Sequence, residues 1–150
     1  MDLLNLKIKL VEECKKQQLE MVSNLKNTIN EAQQSANEYG PPKDRYDSFR
    51  MQLLRKKDMF SQQLEKALNE LYALDKIDLK KEIKKIGFGS VIITPEQKIF
   101  IAIGLGKILL ENDLYLAVSV NVPLAKPFLD KSKGDIVEFN GKKIEIVETF

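Results

Sequence analysis

The chain carries two different hydrophobic patterns, and the change between them falls near residue 78. Before this point apolar residues recur three and four positions apart, which predicts α-helices. A loop is predicted at residues 37–43, between two helical stripes. The first stripe comprises Leu4, Ile8, Val11, Val22, Leu25, Ile29, Ala32 and Ala36, and the second comprises Phe49, Leu53, Phe60, Leu64, Ala67, Leu71 and Leu74.

The two stripes match in register when the helices are folded antiparallel about residue 41. This pairing places Ile29 opposite Leu53 and Val22 opposite Phe60, so we predict a hairpin that closes on itself. Polar residues within an apolar seam weaken packing but help to fix its register. Such residues interrupt the stripes at Lys15, Gln18, Lys56 and Lys57.

After residue 78 the pattern changes to short runs of β-branched and aromatic residues separated by glycines, which predicts strands. Strands are predicted at 89–94, 98–104 and 114–120, with a short helix at 122–129. Asn140-Gly141 predicts a tight hairpin between two further strands, 135–139 and 143–147. We therefore predict an α+β fold, with an antiparallel coiled-coil hairpin over residues 1–78 and a small antiparallel sheet with one short helix over residues 79–150.

Composition removes several kinds of chemistry. The sequence has no histidine, which excludes the usual general base and the commonest metal ligand, and we expect no enzymatic activity. The single cysteine, Cys14, excludes an intrachain disulfide and favours a reducing compartment. With no apolar run long enough to span a membrane and no cleavable signal pattern, we expect a cytoplasmic protein without a membrane partner. The net charge of +2 is too small to predict nucleic-acid binding by itself.

Two aspartates near the predicted loop, Asp44 and Asp47, are three residues apart and would share one face of a helix. One interpretation is helix capping, with Asp44 as the N-cap and Asp47 in the first turn. The other is a pair of carboxylates presented to a hard cation such as Mg²⁺, whose remaining ligands would come from a partner. The two roles are compatible, because a cap also fixes the direction of a carboxylate.

A run of lysines marks the junction between the two predicted parts. It predicts either a solvated helix face or a patch that faces phosphate or a polymerase. The run comprises Lys80, Lys81, Lys84 and Lys85.

The chain resembles the bacterial Gre transcript-cleavage factors along almost its whole length. The antiparallel coiled coil with an acidic tip is one part of the likeness, and the strand entry Gly89-Ser90-Val91 is another. The third part is Val122-Pro123-Leu124-Ala125-Lys126 followed by Lys133-Gly134-Asp135-Ile136-Val137, which is similar to a signature of the FKBP-like domain in that family.

This resemblance implies that bacterial RNA polymerase is the partner. The FKBP-like domain would dock at the rim of the secondary channel, and the coiled coil would enter the channel. Asp44 and Asp47 would help to hold a Mg²⁺ of the polymerase, which cuts the 3′ end of backtracked RNA, so contact with RNA would be indirect. We expect a monomer with no cofactor of its own. The docking residues implied by the resemblance are Pro123, Leu124, Ala125, Gly134 and Asp135.

The tip departs from the family pattern. Aligned on Gly40, Pro41 occupies the position of the first acid, and the spacing of two acids is kept only by Asp44 and Asp47. Some relatives with altered tips inhibit transcription, so the alternative is a channel-binding inhibitor without cleavage stimulation. A coiled-coil adaptor unrelated to polymerase is a further alternative. A prolyl isomerase would need an aromatic-lined pocket that the sequence does not predict.

Overall fold

The computed structural model describes residues 2–41, 43 and 47–150. Two long helices, α1 (Leu3–Tyr39) and α2 (Ser48–Asp75), precede a small sheet, which confirms the predicted α+β fold of a helical hairpin followed by a sheet. The chain forms two compact units, one of Met1–Lys15 with Ala73–Phe150 and the other of Lys16–Tyr72. The boundary at residue 78 stays a prediction.

The unit Lys16–Tyr72 is a two-helix hairpin with a thin apolar seam. Small side chains let the helices approach closely, and polar residues complete the seam. The Gln18 Nε2 atom donates a 2.9 Å hydrogen bond to the Ala67 carbonyl oxygen, and the Lys57 ammonium donates to the Gln33 amide oxygen. Buried apolar residues of this unit are Val22, Ala32, Ala36 and Ala67.

The contacts across the hairpin differ from the predicted register. The predicted pairing places Gln18 opposite Leu64, but its amide bonds Ala67, three residues later. Lys57 likewise bonds Gln33, for which the predicted partner is position 49. The cause is the turn: α1 continues to Tyr39 and α2 does not begin until Ser48, so the turn is centred later in the chain than the predicted loop.

The strands of the unit Met1–Lys15 with Ala73–Phe150 are β1 (Val91–Ile93), β2 (Lys98–Ile101), β3 (Gly106–Leu110), β4 (Asp113–Val118), β5 (Ile136–Phe139), β6 (Lys142–Glu145) and β7 (Glu148–Thr149). They form a five-stranded sheet in the order β3-β4-β2-β1-β7 and a separate two-stranded sheet, β5-β6. Strand β2 pairs with β4 in parallel, which differs from the predicted all-antiparallel sheet. Strand β3 follows β2 in the chain but lies at the edge of the sheet, with β4 between β3 and β2.

Two tight turns of the same kind close hairpins in this unit. Asn140 and Gly141 have φ values of 52° and 77°, which confirms the predicted primed turn between β5 and β6. Glu111 and Asn112, with φ values of 50° and 68°, turn the chain between β3 and β4. The predicted helix at 122–129 is a single 3-10 turn, Lys126–Phe128.

The five-stranded sheet buries side chains on both faces, because successive residues of a strand point to opposite sides. Phe100 and Tyr115 pack in one cluster with Leu10 of α1, whereas Ile99 and Phe128 belong to a second cluster. All five side chains are almost fully buried. Burial of each large apolar side chain contributes about 1.5–3 kcal/mol to folding, so these two clusters account for much of the stability of the unit.

Within the described residues, neither long helix has an apolar stretch sufficient for a membrane span.

Candidate functional site at the turn of the helical hairpin

Asp47 is the N-cap of α2. It lies immediately before Ser48, and its Oδ1 atom accepts a 3.2 Å hydrogen bond from the backbone amide of Arg50. Its carbonyl oxygen accepts from the Met51 amide at 3.1 Å, which is the first hydrogen bond of the helix. Aspartate suits this position because its carboxylate satisfies a backbone donor that has no partner within the helix. Asp47 is therefore the cap itself, and the prediction that it belongs to the first turn is wrong.

The same carboxylate accepts two further hydrogen bonds from the other side of the turn. The Tyr39 hydroxyl donates to Oδ1 at 3.0 Å, and the Lys43 backbone amide donates to Oδ2 at 2.9 Å. Asp47 is 9% exposed. Chiefly the Lys43 amide, and also the Arg50 amide and the Tyr39 hydroxyl, lower the pKa of Asp47, because each donor favours the ionised carboxylate.

Aromatic and basic side chains surround this carboxylate. The rings of Tyr39 and Phe49 lie 5.0 Å apart between centroids and tilted by 56°. The Lys43 ammonium lies 5.3 Å from the centroid of the Tyr39 ring, within cation–π distance. The Arg50 Nε atom donates a 3.2 Å hydrogen bond to the Gly40 carbonyl oxygen, at the end of α1. Two cationic residues thus accompany the acid at the turn.

Gly40 ends α1 in a conformation that favours glycine. Its φ is 88°, and its amide donates a 3.1 Å hydrogen bond to the Ala36 carbonyl oxygen. A left-handed residue at this place is a common way to terminate a helix, and it frees the Gly40 carbonyl to accept from Arg50. Pro41 follows directly and cannot continue a helix, which agrees with this end of α1.

Of the two carboxylates predicted to bind a metal, the structure describes only Asp47, and Asp44 lies outside the described residues. A carboxylate offers about four lone-pair positions, and Asp47 uses three of them for hydrogen bonds to the part of the chain that the structure describes. Within residues 2–41, 43 and 47–150, no three cysteine or acidic side chains are grouped closely enough to hold a metal ion. Metal binding by Asp44 and Asp47 stays a prediction.

The residues predicted to dock on polymerase differ in exposure. Pro123 is exposed, but Ala125 is fully buried in the cluster that contains Phe128, so it has no free surface to offer a partner. Gly134 and Asp135 form an exposed turn before β5. The Asp135 Oδ2 atom accepts a 2.9 Å hydrogen bond from the Ser132 amide, so this carboxylate stabilises the turn. Leu124 is partly buried against the same cluster.

The lysine run lies in irregular backbone between α2 and β1, not on a helix face as one of the two interpretations required. Its four lysines are exposed. The lysines are solvated, but the prediction that they lie on a helix is wrong. The alternative, a patch that faces phosphate or a polymerase, stays a prediction.

Sequence reasoning missed Tyr39 and Arg50 as parts of the turn. Both are ordinary residues of helical segments in the sequence, and each acquires its role from a contact eight to ten residues away along the chain. The one available signal was the position of Tyr39, an aromatic residue directly before Gly40 and Pro41.

No protein-family profile and no curated protein matches this chain. Among solved structures, the chain is similar to the transcription factor Gfh1, with 16% identity and a TM-score of 0.34 over 91% of this chain and 93% of that chain. It is also similar to GreA factor homolog 1 (Gfh1) of Thermus thermophilus, with 16% identity and a TM-score of 0.32 over 91% of this chain and 94% of that chain. Likeness of this degree establishes neither a family nor a function.

Proposed function

We propose that this protein regulates transcription elongation by binding bacterial RNA polymerase and placing the turn of its helical hairpin in the secondary channel. The proposal rests on the resemblance to Gre factors through Pro123-Leu124-Ala125 and Gly134-Asp135, which follows a two-helix hairpin along the chain. The observation that carries it is the turn itself. Three hydrogen bonds to Asp47 tie both helix ends and the intervening loop together, as a segment that must keep its shape inside a partner requires.

The contacts of Asp47 favour a regulator that occupies the channel without stimulating cleavage. To deliver Mg²⁺, Asp47 would have to keep lone pairs directed at the metal, but three of about four are used within the chain. The Lys43 and Arg50 cations would also oppose a second cation nearby. Cleavage stimulation is the second candidate, and the three-residue spacing of Asp44 and Asp47 is the feature that supports it.

RNA length and elongation rate in a stalled, backtracked elongation complex test both candidates. We expect the full chain to bind polymerase and slow elongation without shortening the RNA beyond the polymerase alone. Asp44→Asn and Asp47→Asn should then leave RNA length unchanged. Asp58→Asn, at an exposed position of α2, is the matched control.

Three results discriminate. Shortened RNA with the wild type and with Asp58→Asn, but not with the double variant of Asp44 and Asp47, would establish cleavage stimulation in place of blocking. Shortening that survives in the double variant would remove both acids from the mechanism. Failure of the full chain to bind polymerase at all would overturn the proposal and favour a coiled-coil adaptor.

A further inference from the structure

A cleft of about 680 Å³ lies in the unit that contains the sheet. The first turns of α1, the irregular segment 79–84 and the end of β7 contribute to its wall. Its charged residues are mostly basic: five lysines line it, against Glu82 and Glu148. Glu148 is already paired, because its Oε2 atom lies 2.9 Å from the Lys133 ammonium. The lining lysines are Lys7, Lys80, Lys81, Lys84 and Lys133.

Lys7 is the unusual member of this group, because it is only 3% exposed. Among the residues that the structure describes, its ammonium forms no hydrogen bond and no ion pair. Burial lowers the pKa of Lys7, and the nearby Asp78 carboxylate only partly opposes that effect. The carbon chain of Lys7 is thus enclosed, whereas its ammonium is not fully buried and can be reached from the cleft, where it favours a negatively charged ligand.

A second polar group in the wall is also unsatisfied. The Thr149 hydroxyl oxygen is buried and has no hydrogen-bond partner within the described part of the chain. Since solvent does not reach this oxygen, it adds a polar group to the wall but is not placed to contact a ligand directly. Two polar side chains without partners, from α1 and from β7, thus belong to one basic cleft.

We propose that this cleft binds a nucleoside diphosphate or triphosphate, with Lys7 contacting its phosphates. Lysine ammonium groups bind phosphate as compact point charges, and the exposed lysines of segment 79–84 would contact the outer phosphates. The proposal does not depend on polymerase binding. It gives the lysine run the phosphate-facing role that the sequence left open.

The size and the apolar part of the wall favour a nucleotide over a bare phosphate. Clefts of about 300–1,000 Å³ suit small organic ligands, and a bare phosphate needs far less space. Apolar side chains suited to contact a flat base lie in the same wall. They include Leu3, Leu79, Ile83 and Phe150.

Titration of the full chain with GTP, ATP and pyrophosphate, followed by calorimetry and by backbone amide NMR, tests the proposal. We expect saturable binding of a nucleotide, with shifts concentrated at residues 79–84 and 148–150. Pyrophosphate should bind about tenfold more weakly, because it leaves the apolar wall uncovered.

Two substitutions of matched chemistry locate the site. Lys7→Met keeps most of the length of the side chain and removes its charge, and it should weaken nucleotide binding about tenfold or more. Lys107→Met removes an exposed lysine of β3 outside the cleft and should change affinity less than about twofold. Lys84→Gln, at an exposed position of the wall, serves as a second variant whose fold is not at risk.

Saturable nucleotide binding lost in Lys7→Met and reduced in Lys84→Gln supports the proposal. Equal losses in Lys7→Met and Lys107→Met would reduce the effect to net charge and overturn it. So would the absence of saturable binding for all three probes, or equal affinity for pyrophosphate and nucleotides, which would leave no role for the apolar wall.

Discussion

The hydroxyl of Tyr39 donates a 3.0 Å hydrogen bond to the carboxylate of Asp47, and so joins the last residue of α1 to the N-cap of α2. The Asp47 carboxylate therefore both holds the turn to the end of α1 and caps the start of α2. The consequence is that changes to Asp47 affect both the local stability of the turn and any surface that the turn offers a partner.

The stability contributed by Asp47 should depend on pH. Its hydrogen bonds lower the pKa of the folded carboxylate below the ordinary value near 3.9. The stabilisation is present above that value and is lost as pH falls through the folded pKa. We expect wild type to be more stable than Asp47→Asn at pH 7, with a difference that shrinks below about pH 4. Urea unfolding across this range measures it.

Asp58→Asn is the control for this experiment, because Asp58 is exposed on α2. Its stability should differ from wild type by less than about 0.5 kcal/mol. A pH-independent difference for Asp47→Asn would mean that the hydrogen bonds at the turn do not depend on the ionised carboxylate.

Replacement of Gln18 should stabilise the hairpin. Gln18 is fully buried, and although its Nε2 atom bonds Ala67, its Oε1 atom has no partner among the described residues. Gln18→Met keeps the size and removes a half-satisfied amide, so we expect a gain of about 1 kcal/mol in the free energy of unfolding. Gln62→Met, at an exposed position of α2, should change stability by less than about 0.5 kcal/mol. A loss for Gln18→Met would show that the bond to Ala67 outweighs the unsatisfied oxygen.

Lys7→Met should raise stability in ligand-free buffer. Burial disfavours the charged form of Lys7, so removal of this charge is expected to raise the free energy of unfolding at pH 7. Since burial lowers the pKa of Lys7 below 10.5, the folded protein releases this proton before the unfolded chain does, and wild-type stability rises with pH between the two pKa values. The advantage of Lys7→Met should therefore shrink between neutral pH and about pH 10. Denaturant melts of both proteins at several pH values check this sign.

Substitutions of Ala125 and Pro123 should distinguish an effect on folding stability from an effect on polymerase binding. Ala125 is fully buried, so Ala125→Met should lower the free energy of unfolding by about 1–3 kcal/mol through overpacking. Pro123 is exposed, and Pro123→Ala should change stability by less than about 0.5 kcal/mol. Under the proposed function, Pro123→Ala nevertheless weakens binding to core polymerase. Unchanged binding would remove Pro123 from the interface.

Cys14 should resist alkylation in the folded protein. Burial, with a smaller contribution from Glu13, raises the pKa of the Cys14 thiol to about 12. The reactive thiolate is therefore scarce at pH 8 and is also enclosed. Iodoacetamide should label Cys14 only when urea unfolds the chain, as mass spectrometry would show. Rapid labelling under native conditions would indicate local opening of the α1 start.

Periodic patterns were sufficient to predict the helical hairpin and the β5–β6 turn, because both depend on residues close together in the sequence. Pairing between distant strands was not predicted. The parallel pair β2–β4 depends on β3 taking the edge, and the Glu111-Asn112 turn that makes this possible lacks the glycine of a typical hairpin signal.

The site was predicted less completely than the fold. Asp44 and Asp47 are equally good caps by residue type, and only the helix start at Ser48 gives that role to Asp47. Lys7 resembles any charged residue of an amphipathic helix in the sequence. Its burial depends on residues from distant parts of the chain, which no local pattern encodes.

The first fifteen residues belong to the same compact unit as Ala73–Phe150, and Leu10 packs with Phe100 and Tyr115. During synthesis on the ribosome, the start of α1 therefore cannot pack until the residues it contacts, about a hundred positions later in the chain, have been made. At ordinary synthesis rates this takes roughly 5–20 s. The hairpin Lys16–Tyr72 has no such wait, because both its helices emerge first. Translation thus favours a nascent chain with a closed hairpin, in which the apolar face Leu6–Leu10 stays exposed until the sheet has been made.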